Sequence, residues 1–295
     1  MAKRNAPVVV GIGELLWDML PGGKRAGGAP VNFVYHAAQN GADGYAVSAI
    51  GKDDFGREII AELDKKKILH IVEATDYPTG YVDVMLENGI PSYTIVENVA
   101  WDHIPFTFRA QNILRQADAV CFGTLALRHK ESRQNILRLI DESNPSALKF
   151  FDINLRRGYY SRELVGKLLQ KSNVFKINDE EILTVCSMFE LDGSDEEICR
   201  LLLKKYNLRY LIFTAGEKYS IIYTADETSY LETPRVKVAD TVGAGDAFSG
   251  TFICSILKGK NLREAHQNAT DVAAYVCTQH GAWPDYPPEL KIKIS

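Results

Sequence analysis

The chain has 295 residues, of which 46% are hydrophobic and 24% are charged, and its formal net charge is −4. A chain of this length and composition can fill a large α/β core, and we expect residues 1–295 to form a single domain. The net negative charge argues against a nucleic-acid partner, because nucleic-acid-binding proteins usually carry a clustered basic excess.

The five cysteines are widely spaced and form no C-x-x-C pair, which favours reduced thiols over a disulfide framework or a zinc site. The N-terminus leads directly into a strand-like segment at residues 8–11, without the apolar region of a signal peptide. No apolar stretch approaches the length of about 18 residues that suggests a membrane span. We therefore expect a cytoplasmic protein with no membrane partner.

Short apolar runs alternate with segments of helical periodicity over most of the chain. The predicted strands lie at residues 8–12, 46–50, 119–122, 148–153, 174–177 and 210–214. One predicted helix begins at residue 31, and the others cover residues 56–67, 131–142, 163–171 and 247–257. Such alternation predicts an α/β fold with a mostly parallel central sheet and helices on both of its faces.

Residues 79–96 depart from this strand–helix alternation, because apolar and polar side chains alternate there at period two around an Asn-Gly pair. This pattern is typical of an antiparallel hairpin. Val82 and Val84 share one face of the hairpin, while Asp83 lies on the other. The sequence therefore predicts a second, smaller sheet.

Two segments near the N-terminus bring glycines, an amide and a carboxylate close together in sequence. Asp18 ends the string G-E-L-L-W-D, and Gly27, Gly28 and Asn32 belong to G-G-A-P-V-N. An ionised aspartate accepts two hydroxyl hydrogen bonds at once, and such charge-assisted bonds are the stronger kind. A structural interpretation is also open, in which the glycines form a loop and Asn32 caps a helix over residues 33–38.

Polar residues follow three predicted strands in the second half of the chain. They form the strings D-I-N-L-R at 152–156, K-I-N-D-E-E at 176–181 and T-A-G at 214–216. Open α/β sheets bind ligands at the carboxyl ends of their strands, so these strings mark a candidate site. The acidic residues at 179–181 are also compatible with the first turn of a helix.

The most informative segment is D-T-V-G-A-G-D at residues 240–246, directly before a helical run. Its glycines let the backbone approach a ligand closely. The first N–H groups of a helix carry roughly +0.5 elementary charge, which suits a phosphate. Asp246 would repel that phosphate unless it accepts a proton from an attacking hydroxyl, an arrangement typical of kinases. Alternatively, Asp246 only complements the helix dipole. In both interpretations, the helix N-terminus should lower the pKa of the Asp246 carboxyl group.

These motifs resemble those of the pfkB (ribokinase-like) carbohydrate kinases. The string D-T-V-G-A-G-D-A-F at 240–248 resembles the C-terminal signature of that family, and residues 27–32 resemble its first signature. The patterns D-x-N-x-R, K-x-N-x-x-E and T-x-G occur in the family's order, and the likeness extends to the G-A-W-P tail at 281–284. The chain departs from the family at Tyr219, where glycine is frequent.

The resemblance implies a three-layer ribokinase-like fold with a small β-sheet lid over the sugar, contributed by about residues 14–26 and 78–104. An apolar face of that lid would be covered in a homodimer with lid against lid. Competing nucleotide motifs are absent, since Leu16 replaces the third glycine of G-x-G-x-x-G and no G-x-x-x-x-G-K-[ST] occurs.

The resemblance also implies transfer of the γ-phosphoryl group of ATP to a sugar hydroxyl. Asp246 would accept the hydroxyl proton, and the amides of Gly243, Ala244 and Gly245 would stabilise charge on the transferring group. The implied sugar-binding residues are Asp18, Gly27, Gly28, Asn32, Arg156 and Asp246. The implied nucleotide-binding residues are Lys176, Asn178, Thr214, Gly216, Gly243, Gly245 and Asn268.

The resemblance also implies two bound cations. Glu181 would hold Mg²⁺ largely through water, which suits a hard cation that dehydrates reluctantly. The family often builds a site for a monovalent cation near Asp240 and Gly281, so we expect K⁺ as a second ion there.

The resemblance also bears on which sugar accepts the phosphoryl group. Residues 89–102 and 13–18 look like the fructokinase branch, which implies conversion of fructose to fructose 6-phosphate. Ribose, 2-keto-3-deoxygluconate and nucleosides stay open, as does a sugar phosphate held by Lys24 and Arg25, which are otherwise expected in a solvated loop. A catalytically inactive sugar-sensing protein is a further alternative.

Overall fold

The structure is a computed structural model that describes residues 6–20, 22–87, 90–156 and 158–291. The side chains of residues 84–93 lie outside this description, as does the predicted Asn-Gly turn at residues 88–89. All five cysteines are free thiols. None of the described helices is long and apolar enough to cross a membrane.

Strands and helices alternate along most of the described chain. The strands are β1 Val8–Ile12, β2 Leu16–Leu20, β3 Gly23–Gly27, β4 Asp43–Gly51, β5 Leu69–Thr75, β6 Gly80–Glu87, β7 Ile90–Ile95, β8 Ala119–Phe122, β9 Leu148–Asp152, β10 Val174–Asn178, β11 Tyr210–Thr214, β12 Tyr219–Tyr223 and β13 Thr228–Glu232. The helices are α1 Ala29–Gln39, α2 Asp54–Lys65, α3 Phe108–Gln116, α4 Lys130–Asp141, α5 Arg162–Lys171, α6 Glu181–Phe189, α7 Asp195–Lys205, α8 Ala244–Leu257 and α9 Leu262–Cys277.

The central sheet has the order β13-β12-β11-β10-β9-β8-β1-β4-β5. Its strands are parallel from β11 to β5, and β12 and β13 add an antiparallel edge. One hydrophobic core packs α3 to α7 against one face of the sheet, and a second core packs α1, α2, α8 and α9 against the other. The predicted α/β fold with a mostly parallel central sheet is confirmed, and the antiparallel edge was not foreseen.

Burial explains why the central strands read as continuous apolar runs. Every residue of β1 and β8 is buried, because helices cover both faces of the sheet. In contrast, exposed and buried residues alternate along β13 at the antiparallel edge. The apolar runs therefore identify the central strands, while the edge strands carry a weaker sequence signal.

The small sheet has the order β3-β2-β6-β7, in which β2 and β6 are parallel and the outer pairs are antiparallel. In its register Asp18 lies between Arg25 of β3 and Val82 of β6, so these three residues share one face. Val82 is buried in the core that also contains Trp101. This face of the small sheet therefore points toward the body of the chain.

The opposite face of the small sheet packs on α2. The indole of Trp17 donates to the carbonyl oxygen of Phe55 at 3.0 Å, and Tyr81 contacts the Phe55 ring edge to face. Lys24 forms an ion pair with Glu58 of α2 and lies over the Trp17 ring. The expectation of a solvated loop for Lys24 and Arg25 is wrong, because strand pairing with β2 places both residues in β3.

Helices α1 and α8 approach each other with little side-chain bulk between them. A Cβ atom added at Gly250 of α8 would lie 2.4 Å from the carbonyl oxygen of Phe33 and 3.1 Å from the amide nitrogen of Ala37. Side chains cannot occupy such a gap, so the helices pack backbone against backbone at this point.

We expect Gly250→Ala to lower the free energy of unfolding by about 1–3 kcal/mol, because the methyl group must push α1 and α8 apart. Urea denaturation followed by circular dichroism measures this change. The matched control is Gly166→Ala in α5, where the added Cβ would lie 3.6 Å from the Phe189 ring, an ordinary contact. That variant should keep or raise stability, because alanine favours a helix. Unchanged stability of Gly250→Ala would contradict the close packing.

Candidate active site

Polar groups gather at the carboxyl edge of the central sheet. Asp152, Asn178 and Thr214 end the parallel strands β9, β10 and β11. The N-terminus of α8 reaches the same edge, where the hydroxyl of Ser249 donates to Asp152 Oδ2 at 3.4 Å. A small cavity lined by Asp152 and Asp246 lies between this helix and α1.

Backbone geometry at the start of α8 requires glycine. Gly243 is the N-cap residue with φ of +79°, and a Cβ there would lie 2.7 Å from the Cβ of Ala282. The first intrahelical bond joins the amide of Ala247 to the Gly243 carbonyl at 2.8 Å, so earlier amides lack helical partners. The amide of Ala244 donates to the Thr241 carbonyl at 3.3 Å and is thus engaged within the turn.

Asp246 is held by a side chain from the other end of the chain. Its Oδ2 accepts a hydrogen bond from Asn32 Nδ2 at 2.8 Å, and Asn32 Oδ1 accepts one from Trp283 Nε1 at 2.8 Å. Asn32 does not cap α1, because the helix begins at Ala29 with Gly28 as its N-cap residue. The capping interpretation is therefore wrong, and the Asn32 side chain points to Asp246 instead.

Burial raises the pKa of Asp246 to about 6, and the neighbouring Asp152 carboxylate adds to this effect. The expectation that the helix N-terminus would lower this pKa is wrong, because loss of hydration outweighs the helix dipole at this depth. Asp246 therefore remains a carboxylate at neutral pH but is a stronger base than an exposed aspartate.

A buried cation lies beneath the N-terminus of α8. Lys176 Nζ donates to Asp152 Oδ2 at 2.8 Å and is 3.3 Å from the position of a Cβ at Gly245. Burial lowers the pKa of Lys176 and Asp152 raises it, with a net rise, so the lysine stays charged. The positive charge of Lys176 therefore adds to that of the helix N-terminus.

The predicted sugar-binding residues converge beside Asp246. A Cβ at Gly27 would lie 3.2 Å from Asp18 Oδ2 and 3.9 Å from Asn32 Oδ1. Burial raises the pKa of Asp18, while Arg156 and Arg25 act to lower it. The exposed side chain of Arg156 also acts on the pKa of Asp246, so it lies within electrostatic range of both carboxylates.

The predicted nucleotide-binding residues are more dispersed. Thr214 ends β11, and Gly216 follows in a turn with φ of +54°. The side-chain oxygen of Asn178 accepts the Glu181 amide at 2.7 Å and so holds the start of α6. Asn268 lies on α9 and donates to Ser255 Oγ at 3.3 Å, roughly 16 Å along α8 from its N-terminus at 1.5 Å per residue.

Glu181 fits the donor set of a hard cation. Its two carboxylate oxygens accept the amides of Leu155 at 2.9 Å and Asn178 at 3.1 Å, which leaves further lone pairs free. Burial raises the pKa of Glu181, and Asp152 raises it further. Carboxylate oxygens are the ligands that Mg²⁺ prefers, so Glu181 could hold this ion directly or through water.

Asp240 is already paired with a cation. Its Oδ2 accepts hydrogen bonds from Arg25 Nη1 at 3.1 Å and from the Gly281 amide at 3.0 Å, and its Oδ1 accepts one from the Val242 amide at 3.1 Å. Any monovalent cation at Asp240 would therefore share the carboxylate with the Arg25 guanidinium.

Sequence reasoning missed two residues of this site. Glu14 is buried, its Oε1 accepts the Ala29 amide at 3.2 Å, and its Oε2 has no hydrogen-bond partner among the described residues. Burial raises the pKa of Glu14 to about 7, against an opposing effect of Arg156. Asn154 adopts φ of +37° and lines the cavity with Asp246. Two features of the sequence pointed to these residues: Glu14 is a glutamate between apolar residues, and Asn154 is the asparagine of the D-x-N-x-R string.

A family model described as pfkB family carbohydrate kinase matches residues 21–288. An uncharacterized sugar kinase from Pyrococcus horikoshii is 28% identical over 297 residues, which cover 94% of this chain and 92% of that protein. Its crystal structure aligns with a TM-score of 0.81 and 26% identity over 94% of this chain and 93% of the other. The same sugar kinase has been crystallised in complex with ATP.

Two further relatives act on fructose or on its phosphate. An ATP-dependent 6-phosphofructokinase from Thermoanaerobacterium thermosaccharolyticum is 26% identical over 303 residues, covering 97% of this chain and 92% of that protein. Fructokinase-1 from Oryza sativa subsp. japonica is 25% identical over 322 residues, covering 99% and 98% of the two chains. The predicted ribokinase-like fold is thus confirmed, while the acceptor differs among the relatives.

The raised pKa of Glu14 predicts a pH-dependent cost to stability. The pKa of the buried Glu14 carboxyl group is about 7 in the folded chain, against an ordinary value of 4.5. Its contribution to stability is therefore fully present below pH 4.5 and is lost as the pH rises to about 7. Glu14→Gln removes the ionisation, so the free energy of unfolding of this variant relative to wild type should rise by about 2–3 kcal/mol between about pH 5 and 8.

Urea denaturation of both proteins at the two pH values measures this difference. The matched control is Glu217→Gln, because Glu217 is exposed in the turn after β11 and its replacement should cause no pH-dependent change. A stability difference for Glu14→Gln that is the same at both pH values would show that Glu14 is not buried in its neutral form.

Proposed function

The chain belongs to the pfkB family of carbohydrate kinases, and on this premise we propose that it transfers the γ-phosphoryl group of ATP to a hydroxyl of fructose, giving fructose 6-phosphate. The observation that carries the proposal is Asp246, which lies at the N-terminus of α8 with its carboxylate oriented by Asn32. This arrangement places a base, the Asp246 carboxylate, beside the positive partial charge of the α8 N-terminus. The resemblance of residues 13–18 to the fructokinase branch and the rice relative support the choice of fructose.

In the proposed mechanism, Asp246 accepts the proton of the attacking hydroxyl. A pKa of about 6 keeps its carboxylate ionised at neutral pH and close to the range in which a general base is most effective. The hydrogen bond from Asn32 fixes the direction of Asp246 Oδ2. Because phosphoryl transfer has a loose transition state, positioning by these residues matters more than a strongly basic group.

The amides of Gly243 and Gly245 and the charge of Lys176 would stabilise the transferring phosphoryl group. The Ala244 amide can join them only by leaving its bond to the Thr241 carbonyl. Mg²⁺, bound with the help of Glu181, would supply charge neutralisation to the ATP phosphates. The remaining proposed contacts to ATP come from Asn178, Thr214, Gly216 and Asn268, with Asn268 farthest from the reacting phosphate.

Sugar hydroxyls would bind to Asp18 and Asn32, with Gly27 leaving room between them. Asn32 Nδ2 donates one hydrogen to Asp246, and its second hydrogen remains for a sugar hydroxyl. Arg156 would balance the two carboxylates, and Gly28 lets α1 start close to the backbone of Glu14. The small sheet would cover the sugar with the face that carries Asp18.

A sugar phosphate is the second candidate acceptor. Arg25 lies on the same face of the small sheet as Asp18, and its side chain is 44% exposed. An arginine binds phosphate oxygens with two parallel hydrogen bonds. The 6-phosphofructokinase relative supports this alternative, whereas the existing ion pair of Arg25 with Asp240 works against it.

Two finer expectations stay predictions. K⁺ at Asp240 would compete with Arg25, as described above. The homodimer rests on an uncovered apolar face of the small sheet, but the face with Trp17 packs on α2, and its neighbours Asp83 and Thr94 are exposed and polar. The side chain of Val84 lies outside the described residues. Sedimentation of the purified chain distinguishes a monomer from a dimer.

We expect Asp246→Asn to fold normally and to reduce kcat for ADP release by about 10²-fold or more, the contribution of a general base. Calorimetric titration with the sugar should show that binding is retained. The matched control is Asp226→Asn in the exposed turn between β12 and β13, which should keep full activity. Turnover of Asp246→Asn close to that of wild type would remove Asp246 from the mechanism.

Release of ADP in the presence of single acceptors tests the choice of substrate. We expect the highest kcat/KM with fructose among fructose, fructose 6-phosphate, ribose, 2-keto-3-deoxygluconate and nucleosides. Arg25→Gln should leave the KM for fructose within about threefold, because no proposed sugar contact depends on Arg25. A preference for fructose 6-phosphate that Arg25→Gln abolishes would establish the second candidate. Sugar binding without any ADP release would support a sensing protein.

A further inference from the structure

A cluster of two histidines and a glutamate lies where the chain leaves the small sheet. His103 ends a 3-10 turn at Ala100–His103 after β7, while His129 and Glu131 lie at the start of α4. One ligand atom from each of these three residues lies within 4.8 Å of the other two. The His103 side chain is 4% exposed and that of Glu131 is 53% exposed, so the cluster opens to solvent on one side.

Both ring nitrogens of His103 face acceptor oxygens. Nδ1 lies 2.6 Å from Glu131 Oε2, and Nε2 lies 3.1 Å from Asn98 Oδ1. A neutral imidazole has only one N–H group and cannot donate to both oxygens. When Nε2–H donates to Asn98 Oδ1, the Nδ1 lone pair faces the Glu131 carboxylate, which is the arrangement of two ligands of one cation.

The surroundings of His103 match those of a metal ligand. A metal-binding histidine usually donates its other ring N–H to an oxygen, which fixes the tautomer and the ring orientation, and Asn98 Oδ1 can accept from Nε2 in this way. Tyr77 stacks on the His103 ring at a centroid distance of 3.4 Å and an interplanar angle of 3°. The ring of His103 is therefore held in place before any ion arrives.

His129 offers a second nitrogen to the same point. Its ring centroid is 4.4 Å from that of His103. Its Nδ1 accepts the Glu131 amide at 3.4 Å, which leaves Nε2 for another partner. Both histidines and the carboxylate can thus act as ligands while His129 still caps α4.

We propose that His103, His129 and Glu131 bind a Zn²⁺ ion, with water in the fourth coordination position. Imidazole nitrogens favour zinc and related transition metals, whereas Mg²⁺ prefers oxygen donors and belongs with Glu181 and ATP. Ligand bonds of about 2.0–2.2 Å place two ligands of a tetrahedral zinc roughly 3.4 Å apart. His103 Nδ1 and Glu131 Oε2 are closer than this, at 2.6 Å, so the exposed Glu131 side chain would rotate away from Nδ1 to admit the ion.

The ion would tie together the segment before β6 and the segment after β7, two of the four segments that connect the small sheet to the rest of the protein. Tyr77 lies in the segment that enters β6, and Asn98 and His103 lie in the segment that leaves β7. Both segments contact the start of α4 through the His103 ring. A bound Zn²⁺ ion therefore stabilises this connection and raises the stability of the native state by mass action.

Calorimetric titration of metal-free, nucleotide-free protein with ZnCl₂ tests the proposal. We expect one saturable site that Glu131→Gln and His129→Asn each weaken by more than about tenfold, since even second-shell losses cost 10-fold or more. Glu131 is exposed, and asparagine keeps the cap of α4, so both variants should fold. His280→Gln, at an exposed histidine outside the cluster, is the matched control and should bind zinc like wild type.

A second measurement uses Co²⁺ as a spectroscopic probe. Wild type and His280→Gln should show the visible absorption of tetrahedral Co²⁺ and a rise in melting temperature with ZnCl₂, and Glu131→Gln should show neither. Zinc binding of equal strength in wild type, Glu131→Gln and His129→Asn would overturn the proposal. The absence of saturable binding to wild type would also overturn it.

Discussion

The close crossing of α1 and α8 is the constraint on which the candidate site depends. Gly250 lets the two helices touch backbone to backbone, and this contact brings Asn32 from the first signature to Asp246 in the last. Trp283 then bonds to the other side of the Asn32 amide. Residues more than 200 positions apart thus form one hydrogen-bonded unit, and its geometry is only as precise as the packing of the two helices.

Burial sets the chemistry of the carboxylates around this unit. Loss of hydration raises the pKa values of Glu14 and Asp246 to about 7 and 6, while Lys176 stays charged through its pairing with Asp152. The site therefore combines a fixed positive charge under α8 with carboxylates that exchange protons near neutral pH. A base in such surroundings is poised to take a proton from a hydroxyl without being strongly basic.

The small sheet links this site to the rest of the molecule through both of its faces. One face carries Asp18 toward the candidate sugar site and buries Val82 in the core, and the other packs Trp17 on α2. The segments before β6 and after β7 pass beside His103. A change in the position of the sheet would therefore alter both the surroundings of Asp18 and the contacts of His103, which makes the connecting segments a natural place for an ion to act.

The sequence by itself determined the α/β class, the central strands and the glycine turn before Asp246, because apolar periodicity and glycine content are local properties of the chain. Only the tertiary structure placed Arg25 in a strand and made Asn32 a partner of Asp246 instead of a helix cap. It also buried Glu14, whose Oε2 has no hydrogen-bond partner within the described part of the chain. The edge strands β12 and β13 also escaped prediction. Burial and hydrogen bonding between distant segments arise from packing, and no local pattern encodes the distance between them.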